Sequence, residues 1–320
     1  MTIDAALSPR AAEKFRDPLI TAKGEPRAVV ALRALDTLWF NTGTLCNITC
    51  SHCYIESSPR NDRLAYLTGA EVAAFLDEIA RDRLPAQLIG FTGGEPFMNP
   101  DIIAMLEDAL ARGFEVLALT NAMRPMQRLQ TPLRALHERH GARLRLRVSL
   151  DDPDLALHDS ERGEGAFAAT LEGLRWLIAH DFAVEIAGRG FSHEPEGALR
   201  ARFQALFDAI GLKLDAADPA RLVIFPEMTP DADPPEITTA CWGILDKSPD
   251  DVMCASARMV VKRKGAAAPA VLACTLVPYD AHFELGATLA EASAAVPLNH
   301  RYCASFCVLG GASCGAARPG

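Results

Sequence analysis

Six short apolar runs, at residues 35–42, 87–92, 114–120, 144–150, 182–187 and 221–225, alternate with segments whose apolar residues recur at helical spacing. Val72, Phe75, Leu76 and Ile79 mark one such segment, opened by Thr68-Gly69-Ala70-Glu71, which fits a capping box. Ile102, Ile103, Leu106 and Leu110 mark a second; Phe167, Leu171, Leu174 and Ile178 a third; Leu199, Phe203, Leu206 and Ile210 a fourth. Strands alternating with helices make βαβ units, and right-handed crossovers assemble these into one parallel sheet. Six units are too few to close an eight-fold barrel. The fold class expected is α/β, an open partial (β/α)6 TIM-like barrel with a small Cys-rich C-terminal extension.

Ligands on such sheets bind beyond the carboxyl ends of the strands. Polar landmarks fall there: the Cys46 loop after the first strand, Gly93-Gly94-Glu95-Pro96 after the second, Thr120-Asn121 after the third, Ser149 and Asp151 after the fourth. Residues 1–35 read as a preamble and 36–226 as the barrel. The stretch 227–240 reads as a linker, since residues 226–236 hold four prolines and four acids. Residues 241–320 form a cysteine-rich unit small enough to need a staple such as a metal cluster.

Of the 320 residues, 49% are hydrophobic and 23% charged, ample for a core and incompatible with wholesale disorder. A net charge of −9 argues against a nucleic-acid binder, and Lys262-Arg263-Lys264 reads as a solvated strand edge. The N-terminus lacks a secretory apolar run, and the uncharged stretch 265–279 is too short to span a bilayer. The chain is expected to be cytoplasmic, with no membrane partner. Nine cysteines there are not expected to pair as disulfides, and their odd number agrees. They fall at 46, 50 and 53 and then at 241, 254, 274, 303, 307 and 314, two groups that suggest two metal sites.

Cys46-Asn47-Ile48-Thr49-Cys50-Ser51-His52-Cys53 places three thiolates in one loop just beyond a strand. Three such thiolates can hold three corners of a cuboidal [4Fe–4S] cluster, leaving one iron open to an outside ligand. A zinc site of the three cysteines and His52 competes, but His52 is wedged between two ligands and turns inward with difficulty.

CxxxCxxC followed by Tyr54 resembles the signature of the radical S-adenosylmethionine (SAM) superfamily. Gly93-Gly94-Glu95-Pro96 is similar to that family's GGE motif. The stretches Val148-Ser149-Leu150-Asp151 and His158-Asp159-Ser160-Glu161-Arg162-Gly163 resemble the fourth-strand region of its peptide maturases. The resemblance covers residues 36–226. It implies that the open iron chelates the methionine moiety of SAM, and that reductive cleavage gives a 5′-deoxyadenosyl radical that takes a substrate hydrogen.

Local readings accompany each motif. Gly93 and Gly94 permit close backbone approach and an unusual turn, Glu95 offers an acceptor for the cofactor's ammonium, and Pro96 stiffens the turn. Strict alternation over 144–151 puts Leu144, Leu146 and Val148 on one face and Arg145, Arg147, Ser149 and Asp151 on the other. The polar face would line the lumen, where Ser149 and Asp151 would meet the ribose or carboxylate of SAM. A strand-end serine that only caps the next turn is the plainer reading of Ser149. Asn121 and Arg189 are further lumen candidates, Arg189 for the cofactor carboxylate, and Tyr54 is placed to stack near the adenine. No residue stands out as a general acid or base.

At the other end, Cys254, Gly265 and Cys274, then Cys303, Cys307 and Cys314, resemble the auxiliary-cluster extensions called SPASM and twitch. Residues 283–289 resemble their short connector. The expectation is at least one auxiliary [4Fe–4S] cluster, with a structural zinc knuckle as the alternative and Cys241, beside Trp242, read as a buried thiol. The whole reads as a radical SAM oxidoreductase acting on a peptide or small molecule. It would draw on an external one-electron reductant of flavodoxin or ferredoxin type. A non-catalytic iron–sulfur redox sensor is the alternative.

Overall fold

The computed structural model describes residues 14–190, 194–227 and 233–311. In chain order the elements are β1 (Val29–Val30), β2 (Thr37–Asn41), α1 (Gly69–Asp82), β3 (Leu88–Thr92), α2 (Ile102–Ala111), β4 (Glu115–Thr120), α3 (Arg124–Gln127), α4 (Gln130–His140) and β5 (Leu144–Ser149). They continue as α5 (Leu155–Arg162), α6 (Ala166–Ala179), β6 (Ala183–Gly190), α7 (Glu196–Ile210), β7 (Leu222–Pro226), α8 (Cys241–Ile244), β8 (Ala257–Val261), β9 (Ala270–Leu272), β10 (Glu284–Gly286) and β11 (Val296–Pro297).

Each of the six expected strands is present as one of β2 to β7, in parallel register and in chain order across the sheet. The expected cap of α1 is also there: Thr68 Oγ1 accepts from the Glu71 amide, and the Glu71 carboxylate accepts from the Thr68 amide at 2.9 Å. Leu144, Leu146 and Val148 are wholly buried under the helices, while Ser149 and Asp151 face the lumen. This is the division that the alternation in 144–151 requires.

The cysteine-rich extension begins by continuing the sheet. β8 pairs in parallel with β2 and makes a seventh parallel strand; β9 and β10 then add antiparallel to it. Its apolar run Met259-Val260-Val261 was the available signal, masked by Arg258. Residues 14–30 also dock on the extension: β1 pairs with β11, and buried Arg27 donates to Glu236 at 2.5 Å. The lumen floor is apolar, with Trp39, Leu88, Leu117 and Met259 in one cluster. Gly90 makes room for it, because a Cβ there would stand 2.3 Å from the Trp39 ring. No helix among the described residues is long and apolar enough to cross a membrane.

Candidate functional site

A recess enclosing about 1110 Å³, open solvent included, lies at the carboxyl ends of the parallel strands. Cys46, Cys50 and Cys53 line it from the loop after β2. Thr92, Thr120, Ser149, Arg189 and Phe225 line it from β3 to β7. This is where a parallel sheet exposes its loops and unpaired strand ends. Of the sequence candidates, Tyr54, Gly93, Gly94, Pro96, Asn121, Ser149, Asp151 and Arg189 all reach this recess.

The two glycines serve the cysteine loop. A Cβ on Gly94 would sit 2.2 Å from the Leu45 carbonyl oxygen, and one on Gly93, whose φ is +143°, 2.5 Å from that of Gly43. Backbone bonds fill the space instead: Gly94 N–H donates to Gly43 O at 2.8 Å and Glu95 N–H to Leu45 O at 3.1 Å. The approach that the glycines permit is therefore made by the chain's own backbone, which fixes the entry to Cys46.

Glu95 points inward rather than into the recess. Its carboxylate is 1% exposed and accepts from the Asn121 amide and the Thr120 hydroxyl, both at 2.9 Å, and from the Phe97 amide at 3.1 Å. Burial pushes its pKa up to about 7, while the three donors pull the other way. Asn121 is thereby fixed, and its side-chain amide donates to Asn47 at 2.9 Å within the cysteine loop. Behind it, α6 packs so closely that a Cβ on Gly173 would stand 1.8 Å from the Ala122 carbonyl.

Sequence reasoning missed Arg162. It lines the recess from the end of α5 and donates to both oxygens of Asp151, Nε to Oδ2 at 2.7 Å and Nη2 to Oδ1 at 2.9 Å. Burial resists the Asp151 charge, but Arg162 and then Arg189 outweigh it and hold the carboxyl below its ordinary value. The Arg189 guanidinium, by contrast, donates to the His52 carbonyl, at 3.3 Å, and stands 3.9 Å from Asp151 and from Glu161. His158, wholly buried with neither ring nitrogen hydrogen-bonded, is pushed down to about 4 by burial, with Arg162 adding to the effect.

Burial pushes the Cys46 thiol up to about 12 and raises Cys50 as well, and Arg162 is the strongest influence opposing the rise at Cys50. His52 turns away from the sulfurs to meet Glu161, Nδ1 to Oε2 at 2.7 Å, so it does not join them as the zinc reading required. Among the described residues no three His, Cys, Asp or Glu side chains close around a single metal ion. The donor set does fit a cuboidal cluster, whose irons each take a separate thiolate: three sulfurs on one wall, with room beyond them and two arginines across the recess.

In the extension, Cys254 and Cys303 are buried, and Cys274 and Cys307 pack against the same apolar cluster. Cys254 and Cys274 are near enough to act on the Cys303 thiol, which burial, the larger influence, drives well above its ordinary range. Cys303 and Cys307 share the π-helical turn Cys303–Val308, a form that recurs at functional sites. Phe306, from the same turn, and Leu276, near Cys274, form part of the recess wall. Cys241 is half-buried and contacts Thr238 at 3.4 Å. Cys314 lies outside the described residues.

Three loop cysteines thus stand over the strand ends of a parallel partial barrel. Residues 40–196 match the Radical SAM superfamily. The chain is 32% identical over 142 residues to an AdoMet-dependent heme synthase of Methanosarcina barkeri, covering 44% of this chain and 38% of that protein. It is 28% identical over 138 residues to the mycofactocin maturase MftC of Mycobacterium tuberculosis, covering 43% and 33%. It thus spans about a third of the length of the curated relatives it matches. The fold is similar to that of anSMEcpe with bound AdoMet, with a TM-score of 0.55, 14% identity and 80% of each chain covered.

Proposed function

We propose that the chain is a radical SAM oxidoreductase in which Cys46, Cys50 and Cys53 hold the [4Fe–4S] cluster and the recess holds SAM. One-electron cleavage of SAM, with transfer of a substrate hydrogen to the 5′-deoxyadenosyl fragment, is the chemistry this pair supplies when bound. The observation that carries the reading is the convergence of the three loop cysteines and five consecutive strand ends on one recess. In this reading Arg189, with no acid in hydrogen-bond reach, receives the cofactor carboxylate. Ser149 and Tyr54 contact the nucleoside half. Gly93, Gly94, Glu95, Pro96 and Asn121 hold the loop in place, and Asp151 orients Arg162.

Residues 36–226 form the radical unit and 241–320 the auxiliary unit, joined by 227–240, in this proposal. Cysteines drawn from Cys254, Cys274, Cys303, Cys307 and Cys314, four at most, supply an auxiliary [4Fe–4S] cluster that accepts an electron or binds substrate. Its proximity to the recess supports the electron role, since Leu276 and Phe306 tie the cysteine-bearing segments to the recess wall. Phe225 and Phe306, with ring centroids 5.3 Å apart, make part of that wall apolar and suited to an apolar portion of a substrate. The substrate class is a peptide or a small molecule, in keeping with relatives named for maturation and for heme synthesis. A flavodoxin- or ferredoxin-type donor supplies the electron.

Reduced, anaerobically reconstituted protein incubated with SAM tests this reading. Formation of 5′-deoxyadenosine and methionine is expected. Its absence with the cluster loaded would leave the redox-sensor alternative.

A further inference from the structure

Arg258 sits in the middle of β8, 1% exposed, opposite Leu38 of β2. Its Nε donates to the Ala292 carbonyl at 2.8 Å and its Nη2 to that of Ala294 at 3.0 Å. Its Nη1 donates to the carbonyls of Cys254 at 2.6 Å and Ala257 at 2.8 Å. All four acceptors are neutral, and among the described residues no carboxylate pairs with it. The other buried arginines are paired: Arg27 with Glu236, and Arg147 with Glu185. Arg162, beside the recess, has Asp151.

A guanidinium does not give up its proton in a protein, so it cannot escape burial by neutralising. A buried ion without a counter-charge is strongly disfavoured, and carbonyl dipoles compensate only part of the loss of water. Among the described residues, the ionisable groups near enough to act on Arg258 are the thiols of Cys254 and Cys274, and both also act on Cys303. As neutral thiols these three give the arginine no opposite charge. As thiolates on an iron–sulfur cluster they would belong to a body of net negative charge, placed where the missing counter-ion belongs.

We propose that Arg258 is the resident counter-ion of an anionic iron–sulfur cluster held by Cys254, Cys274 and Cys303, and that its charge raises the reduction potential of that cluster. This rests on the auxiliary-cluster reading above. A fixed positive charge favours the reduced, more negative state, which suits a cluster that must accept an electron from a product radical. Arg258 acts here as a tuning residue and touches no substrate.

The test uses the full chain with Cys46, Cys50 and Cys53 replaced by Ala, so that any cluster seen is the auxiliary one. Iron, sulfide and the midpoint of its reduction are measured with Arg258 intact and in Arg258→Met and Arg258→Lys. The proposal expects a lower midpoint in Arg258→Met and a midpoint near the parent's in Arg258→Lys. It also expects a reversal in stability: Arg258→Met melts higher than the parent without iron, and lower once both are loaded. No cluster in the parent, or iron unaffected by Cys254→Ala, would overturn the auxiliary-cluster reading itself. A loaded Arg258→Met with an unchanged midpoint would overturn the role of Arg258 alone. Failure of iron-free Arg258→Met to fold would do the same, since the carbonyl bonds would then be its purpose.

Discussion

Arg162 and Asp151 form a two-pronged ion pair across the floor of the cysteine loop, with N···O distances of 2.7 and 2.9 Å. The pair joins the C-terminus of α5 to the end of β5, and the same helix end binds the loop: Glu161 O accepts from Ser51 N–H at 2.8 Å. Cys50 and Cys53 lie close enough to stabilise the arginine's charge. Asp151 is thus committed to holding a cation beside the thiols.

Removing one member should therefore be costly. Arg162→Met leaves the buried Asp151 carboxylate with only the long 3.9 Å contact to Arg189, and a loss of about 3–5 kcal/mol is expected in urea unfolding. Arg162→Lys keeps the charge but not the fork, so a smaller loss is expected together with reduced iron retention at the loop. Unchanged stability in Arg162→Met would show that the pair contributes nothing.

Glu95→Gln is nearly isosteric yet turns one acceptor oxygen into a donor facing the donors on Asn121, Thr120 or Phe97. A loss of about 1–3 kcal/mol is expected. SAM affinity should fall with it, because the Asn121 turn shifts against the cysteine loop. Calorimetric binding and thermal melting read the two effects separately.

Gly94→Ala drives a methyl group into the Leu45 carbonyl, 2.2 Å away. Overpacking of this kind costs about 1–3 kcal/mol, and the expected signature is loss of iron from the loop with the rest of the fold intact. Gly197→Ala on α7, where nothing lies within 4 Å, is the control and should be neutral or slightly stabilising.

Buried His158 gives a pH signature. Its folded pKa, lowered from 6.5 to about 4, lies below its unfolded value, so between these pH values only the unfolded state takes up the proton. Its contribution is complete above pH 6.5 and is lost as the pH falls toward 4, by up to about 3 kcal/mol. Glu95, shifted upward, acts in the opposite sense over part of this range. The difference between the wild type and His158→Phe isolates the histidine: the wild type should lose stability relative to the variant steadily below pH 6.5, and a constant difference would contradict the assignment.

The barrel was legible because each of its strands is a compact apolar run, buried on the helix side, and because Thr68 and Glu71 announce α1. The lumen face of β5 followed from strict alternation, which puts Ser149 and Asp151 on one side. What alternation does not carry is the pairing of a strand end with a helix end eleven residues later, so Arg162 went unseen. Glu95 was legible as a turn residue, but its direction depends on amides supplied by Asn121 and Phe97. β8 was hidden because a buried arginine interrupts its apolar run. Only folding brings Cys254, Cys274 and Cys303 together, across nearly fifty residues of chain.

The central claim is that the loop cysteines hold a SAM-cleaving cluster separate from the one in the extension. Iron and sulfide counts, with a 5′-deoxyadenosine assay, on reconstituted wild type and on the Cys46→Ala/Cys50→Ala/Cys53→Ala variant test it most directly. About eight irons in the wild type and about four in the variant, with cleavage abolished, are expected. Iron unchanged by the triple substitution, or no cleavage by the loaded wild type, would contradict it.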